Sequence, residues 1–131
     1  MGKQIEGIGS GTDLNGKRVV LVENLISTWG SSIRAVQAIR DANGECNNCI
    51  SIFNYGFEEA NQAFYDLNPE CNVNSLLNYN VLLEVAKEKG HINNQQLEML
   101  SEWREDPFRW GEKHGFPRVE KWKEYTLYDN K

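Results

Sequence analysis

The sequence predicts an α/β fold, a parallel sheet flanked by helices, on three observations. Val19, Val20, Leu21 and Val22 form a continuous apolar run, the pattern of a strand covered on both faces. A Gly/Ser segment, Ser27–Ser32, separates that run from a stretch with helical spacing. Strand and helix patterns then alternate, and such units build parallel sheets through right-handed crossovers.

Residues 1 to 16 are rich in Gly, Ser and Asn and read as a loop with a turn at Asn15-Gly16. After the first strand, Ile33, Val36 and Ile39 repeat at helical spacing, with Ala35, Ala38 and Ala42 on the same side. Gly44 is the expected stop, able to take the left-handed conformation at no steric cost. A second strand is expected at about Cys49 to Phe53, ended by Tyr55-Gly56. Phe57, Ala60, Phe64 and Leu67 make the next helical stripe, halted by Pro69. Cys71 to Leu77 has room for a short strand. Val81 to Lys89 reads as a helix with Leu82, Val85 and Ala86 inward and Gly90 closing it. Asn93 and Gln96 have capping-box spacing ahead of a helix carrying Leu97, Leu100 and Trp103, which Pro107 ends.

Two or three strands are too few for a finished open sheet, so one flank of Val19–Val22 needs a partner. One domain is expected over residues 1 to 116, with residues 117 to 131 as an aromatic, charged tail. Hydrophobic content of 40% and charged content of 25% suit a folded chain and not a disordered one. The longest apolar run is far short of the ~20 residues that span a bilayer. With no signal-peptide pattern, the expected location is the cytoplasm and no membrane partner is expected. Net charge is −5 with no basic stripe, which argues against nucleic acid.

Three cysteines, an odd number, argue against a disulfide framework. The Cys46–Cys49 spacing invites a redox or zinc reading, but these residues lead into a strand and lack further ligands, so buried thiols are expected. His91 and His114 have no carboxylate or Cys at ligand spacing. No metal ligand and no catalytic residue is assigned.

The chemistry lies between Val19 and Ser32, where a buried strand runs through Glu23 and Asn24 into a hydroxyl-rich loop and onto a helix start. Ligands of open α/β sheets bind at the carboxyl ends of strands. A helix N-terminus there offers unpaired N–H groups and partial positive charge, both suited to phosphate. Glu23 and Asn24 have the chemistry to hydrogen-bond sugar hydroxyls, so a phosphosugar satisfies both halves of the site. By spacing alone, Ser31 or Ser32 capping a helix after a tight loop fits equally well.

The segment Glu23-Asn24-Leu25-Ile26-Ser27-Thr28-Trp29-Gly30-Ser31-Ser32 resembles the phosphoribosyl-diphosphate (PRPP) motif of type I phosphoribosyltransferases. It is most similar to the orotate-specific form, Glu-Asp-Leu-Ile-Ser-Thr-Gly-Gly-Ser-Ser. Gln4-Ile5-Glu6-Gly7 resembles the end of that family's flexible catalytic loop, and Ile52-Phe53-Asn54-Tyr55-Gly56 its next strand. Leu82-Leu83-Glu84-Val85-Ala86 and Trp103-Arg104-Glu105-Asp106-Pro107 resemble its C-terminal helices. The similarity runs in register from residue 4 to about 110.

The resemblance implies a partial type I phosphoribosyltransferase fold, the C-terminal part of the domain, with its N-terminal strands missing. It implies the reaction of orotate with PRPP to orotidine 5-phosphate and pyrophosphate in pyrimidine biosynthesis, with Mg2+ on the PRPP diphosphate. Carried over, the whole run from Glu23 to Ser31, Leu25 and Ile26 included, binds PRPP, with Glu23 and Asn24 facing the ribose hydroxyls. Ser27, Thr28, Trp29, Gly30 and Ser31 wrap the 5-phosphate, with Ser27 also on orotate. The family's orotate hood, pyrophosphate loop and loop Lys and His residues fall outside the match. A chain of this kind is expected to be inactive alone and to act as a homodimer or with a chain supplying the N-terminal half. The alternative is a non-catalytic remnant, a phosphosugar-binding or protein-interaction module.

Two substitutions bear on the motif. Asn24 stands where the family has Asp, and hydrogen bonds to a charged acceptor are worth about 1.5–3 kcal/mol against about 0.5–1.5 for neutral ones. Trp29 stands where the family has Gly, and a Cβ at positive φ costs roughly 1–2 kcal/mol.

Overall fold

The computed structural model describes residues 13–28 and 30–117. The elements run β1 (Arg18–Ile26), α1 (Gly30–Asp41), β2 (Glu45–Asn54), α2 (Glu58–Tyr65), β3 (Asn72–Asn78), α3 (Tyr79–Glu88), α4 (Asn94–Glu105) and α5 (Pro107–Lys113). The chain forms two compact units, one through Val85 and one from Ala86, the division falling inside α3. No described helix is long and apolar enough to cross a membrane.

In the first unit the strands pair in parallel in the order β1-β2-β3. The expected parallel α/β architecture is present, and β1 stands at a sheet edge, the flank for which a partner was expected. Leu14 packs into the core ahead of β1, positioned by a turn in which Gly16 has φ 71° and the Lys17 N–H donates to the Leu14 carbonyl at 2.9 Å. From α1, Ile33, Val36 and Ile39 face the sheet; Ala60 and Phe64 of α2 join the same cluster with Ile26, Cys46, Cys49 and Cys71.

The expectation that β1 is covered on both faces does not hold. Val19 and Leu21 pack against the core, while Val20 and Val22 are 49% and 71% exposed. The strand order supplies the reason. Each crossover steps to the next strand in the same direction, and right-handed crossovers that advance one way put their helices on one side. An apolar run thus marks β1 correctly as a strand and says nothing of which faces this chain covers.

The end of α1 also differs in detail. Asn43, not Gly44, takes the left-handed conformation, at φ 65°. The Asn43 N–H donates to the Arg40 carbonyl at 2.9 Å and the Gly44 N–H to the Ile39 carbonyl at 3.0 Å, a Schellman closure one residue earlier. Gly44 is required for closeness instead. A Cβ there would lie 3.0 Å from Ile39 Cγ2, 3.1 Å from the Ile39 carbonyl oxygen and 3.2 Å from Leu14 Cβ.

Cys46 and Cys49 lie in β2 and Cys71 just before β3, and all three are free, buried thiols. Burial pushes the Cys49 thiol up to about 12, with the negative charges of Cys71 and Glu23 adding to it. Cys71 rises to about 11, mainly through burial. Both shifts are those of core thiols that resist forming the reactive thiolate.

On α3 the inward residues are Tyr79 and Leu83, whereas Leu82 and Val85 are more than two-fifths exposed, so the expected inward face is turned. In the second unit Asn93 and Gln96 make the expected capping box, each side chain accepting from the other's backbone N–H at 2.8–2.9 Å. Pro107 ends α4 and also opens α5, a helix the sequence reading does not contain. His114, which has no carboxylate at ligand spacing in the sequence, sits 3.1 Å from Glu102 on α4 and stacks on Trp110 with ring centroids 4.3 Å apart.

Candidate functional site

The carboxyl ends of the strands meet in register, with Ile26 opposite Asn54 and Asn54 opposite Asn78. Helix α1 begins at Gly30, so only a short turn separates the tip of β1 from the helix start. This is where an open α/β sheet accepts a ligand, with the first N–H groups of a twelve-residue helix unpaired by the helix itself.

The residues of the turn divide by direction. Glu23 is half-buried and accepts a hydrogen bond at its Oε1 from the Ser32 hydroxyl at 2.9 Å. Ser32 is itself buried, on the sheet side of α1. Asn24, next along the strand, is exposed on the opposite face. The two residues expected to face one ribose therefore leave β1 in opposite directions.

Leu25 is 43% exposed and pairs with Phe53 across the sheet. Ile26 is 1% exposed and its side chain belongs to the core, so only its backbone is available to a ligand, and its carbonyl already accepts from the Tyr55 N–H at 3.0 Å. Ser27 is half-buried, Thr28 and Ser31 are exposed, and Gly30 opens the helix. Trp29 lies outside the described residues. So do Gln4, Ile5, Glu6 and Gly7.

Below the turn lies a polar row that sequence reasoning missed. Glu23 pairs with Ser51 and Ser51 with Ser75 in adjacent strands. Ser51 is fully buried, and its hydroxyl lies 2.6 Å from that of Ser75. With Ser32 above Glu23, four polar side chains cross the sheet beneath the helix start. Ser51 and Ser75 lie far from Glu23 in sequence and carry no signal of this; the strand register brings them into line with Glu23, and α1 brings Ser32 onto it.

The strand exits are stiffened locally. The Gly56 N–H donates to Asn54 Oδ1 at 2.8 Å, and the Val81 N–H donates to Asn78 Oδ1 at 3.0 Å. Gly56 takes φ 69°, which glycine adopts freely. Tyr55 stacks on Phe57 at 5.3 Å and meets Phe53 edge-on at 5.1 Å, an aromatic cluster that fixes the exit of β2.

Among the described residues, no three His, Cys, Asp or Glu side chains gather so as to hold a metal ion.

No family model matches the chain. It is 44% identical over 103 residues to an orotate phosphoribosyltransferase of Staphylococcus haemolyticus, a match covering 79% of this chain and 48% of that protein. To an orotate phosphoribosyltransferase of Bacillus caldolyticus it is 43% identical over 110 residues, covering 84% of this chain and 50% of the relative. The chain thus spans about half the length of the curated relatives it matches. Among solved structures, a Leishmania donovani UMP synthase superposes with a TM-score of 0.56 at 20% identity, over 69% of this chain and 20% of that one. At that identity the likeness speaks for the fold alone.

Proposed function

We propose, from the premise that this chain is homologous to about half the length of the orotate phosphoribosyltransferases, that its β1–α1 turn binds the phosphosugar end of PRPP. Catalysis in this reading needs the rest of the fold. The observation that carries the proposal is the placement of the turn, at the carboxyl tip of β1 and on the amino end of α1. The N–H groups of Gly30 and Ser31 and the hydroxyls of Ser27, Thr28 and Ser31 supply donors to the 5-phosphate, and the helix end supplies favourable partial charge.

Glu23 enters this reading with its Oε1 already engaged by Ser32. It holds the strand tip to the helix and reaches a ribose hydroxyl only if it keeps or exchanges that bond. Asn24 offers a neutral amide to the ribose where the family has a carboxylate. Ser27 is the contact to orotate. Magnesium is carried by the diphosphate of PRPP, where it neutralises charge on the leaving group. The orotate hood and the cationic groups for the diphosphate would come from the half of the fold outside the match. The reading places the chain in the cytoplasm, paired with a second copy or with a chain carrying the other half.

A non-catalytic phosphosugar-binding role is the second reading, and Asn24 favours it. Losing a carboxylate beside the sugar removes negative charge where positive charge develops in the transition state, which lowers rate more than binding.

Titration calorimetry with magnesium-PRPP tests the shared part of both readings. Saturable binding is expected, and no heat at millimolar ligand would reject them together. Mixing the chain with the unmatched half of a relative and assaying for orotidine 5-phosphate separates them, since product supports the first and its absence leaves the second.

A further inference from the structure

The covered face of the sheet changes character for one level. In register, Leu21, Cys49 and Val73 form one row across the three strands, and Leu25, Phe53 and Leu77 form the row four residues on. Between these apolar rows stand Glu23, Ser51 and Ser75. Ser51 is 0% exposed, so its hydroxyl sits where an alanine would pack without any polar group to desolvate. Burial of a hydroxyl has to be offset by hydrogen bonds, and Ser51 finds one at the Ser75 hydroxyl, 2.6 Å away. The protons of the row leave one to spare. Each serine hydroxyl donates once and accepts twice, so with Ser75 as the donor the Ser51 proton is left for another acceptor. The acid beside Ser51 is its register partner Glu23, on a strand about 4.8 Å away. Glu23 Oε1 takes the Ser32 hydroxyl at 2.9 Å. To reach a sugar hydroxyl the carboxylate has to turn from Ser32, and a half-buried carboxylate that loses a donor is destabilised unless another replaces it.

We propose that Ser51, braced by Ser75, is a positioning residue for Glu23: it donates to the carboxylate as Glu23 leaves Ser32 for the neighbouring hydroxyls of a ribose phosphate. The inference rests on the phosphosugar reading of the turn. The ligand class follows from the exchange. A sugar diol brings two hydroxyl donors to one carboxylate and draws it off Ser32. A bare phosphate engages the amides and hydroxyls of the turn and leaves Glu23 with Ser32. Ser51 therefore acts on the sugar half of the ligand and not on its phosphate half.

Titration calorimetry of the full chain with ribose 5-phosphate and with inorganic phosphate separates the two halves. Ser51→Ala is expected to weaken ribose 5-phosphate by about fivefold or more, while phosphate affinity changes by less than about twofold. Ser75→Ala is expected to act in the same direction by about twofold to threefold. In a Glu23→Ala background, Ser51→Ala should have no further effect on ribose 5-phosphate, because its role runs through the acid. A purely structural role would move both ligands together. Parallel losses for the two ligands, or an unchanged ribose 5-phosphate affinity, would overturn the proposal, as would a full additive loss in the Glu23→Ala background. If circular dichroism shows Ser51→Ala unfolded, Ser75→Ala, at a half-buried site on an edge strand, decides by the same criteria. Should the unmodified chain bind neither ligand at millimolar concentration, the phosphosugar reading falls and this inference with it. Binding that is indifferent to Ser51 and Ser75 removes the inference alone.

Discussion

The hydroxyl of Ser32 donates to the carboxylate of Glu23 across 2.9 Å, binding the tip of β1 to the first turn of α1. This contact fixes the angle at which the helix leaves the sheet, and with it the direction of the amides in the turn. Ser32→Ala removes the donor from a half-buried carboxylate and is expected to destabilise the chain by about 1–3 kcal/mol. Urea unfolding checks this, and a double-mutant cycle with Glu23→Ala, which removes the acceptor, should show coupling of about 1 kcal/mol. Additive losses would mean that the bond does not form in solution.

Restoring the family's acid, Asn24→Asp, is expected to tighten magnesium-PRPP by about 1 kcal/mol, roughly fivefold. Asn24 is exposed, so stability should change by less than about 0.5 kcal/mol. Calorimetry at fixed ionic strength measures the first and thermal unfolding the second.

Packing is expected to be one-sided. Phe64, 2% exposed, packs in the core, and Phe64→Ala should cost about 3–5 kcal/mol. Leu76, at 80% exposure, should tolerate Leu76→Ala within about 0.5 kcal/mol in the isolated chain. Equal losses at the two positions, measured by urea unfolding, would contradict an open face.

Gly44→Ala should destabilise by about 1–3 kcal/mol, because the added methyl meets the Ile39 backbone as well as its side chain. Circular dichroism melting reads the loss directly.

The buried thiols give the pH dependence its sign. The folded values of Cys49 and Cys71 are raised above the ordinary 9.0, to about 12 and about 11. Their contribution to stability is therefore complete below pH 9 and is lost as pH rises above it, where the unfolded chain releases protons that the folded chain retains. Unfolding free energy should fall more steeply between pH 9 and 11 in the unmodified chain than in Cys49→Ala. Matching slopes would place that thiol in contact with water.

The order of strands and helices was legible because each element has its own punctuation, such as the Asn93–Gln96 box and the Gly90 turn at φ 74°. The turn between β1 and α1 was legible as a short hydroxyl-rich connection, because Ser27 and Thr28 follow the apolar strand and Gly30 opens the helix ahead of Ser31 and Ser32. Direction was not. On α3 a reading centred on Leu82 and Val85 misses Tyr79, which is buried, and so rotates the face away from Leu83. Helix α5 has only seven residues, too few to show a period. Glu23 and Asn24 look alike as neighbouring polar residues, and only the pleat sends one toward Ser32 and the other toward solvent.

The strand order has a kinetic corollary. Every strand finds its neighbour across a single intervening helix, so no pairing waits for a remote segment and each loop closure is short. Assembly can therefore proceed by templating, β1 receiving β2 and β2 receiving β3, in the direction a ribosome delivers them. The β1–α1–β2 stretch contains both strands of the first pairing and both partners of the Glu23–Ser32 link, so that unit needs no residue beyond Asn54 to make these contacts.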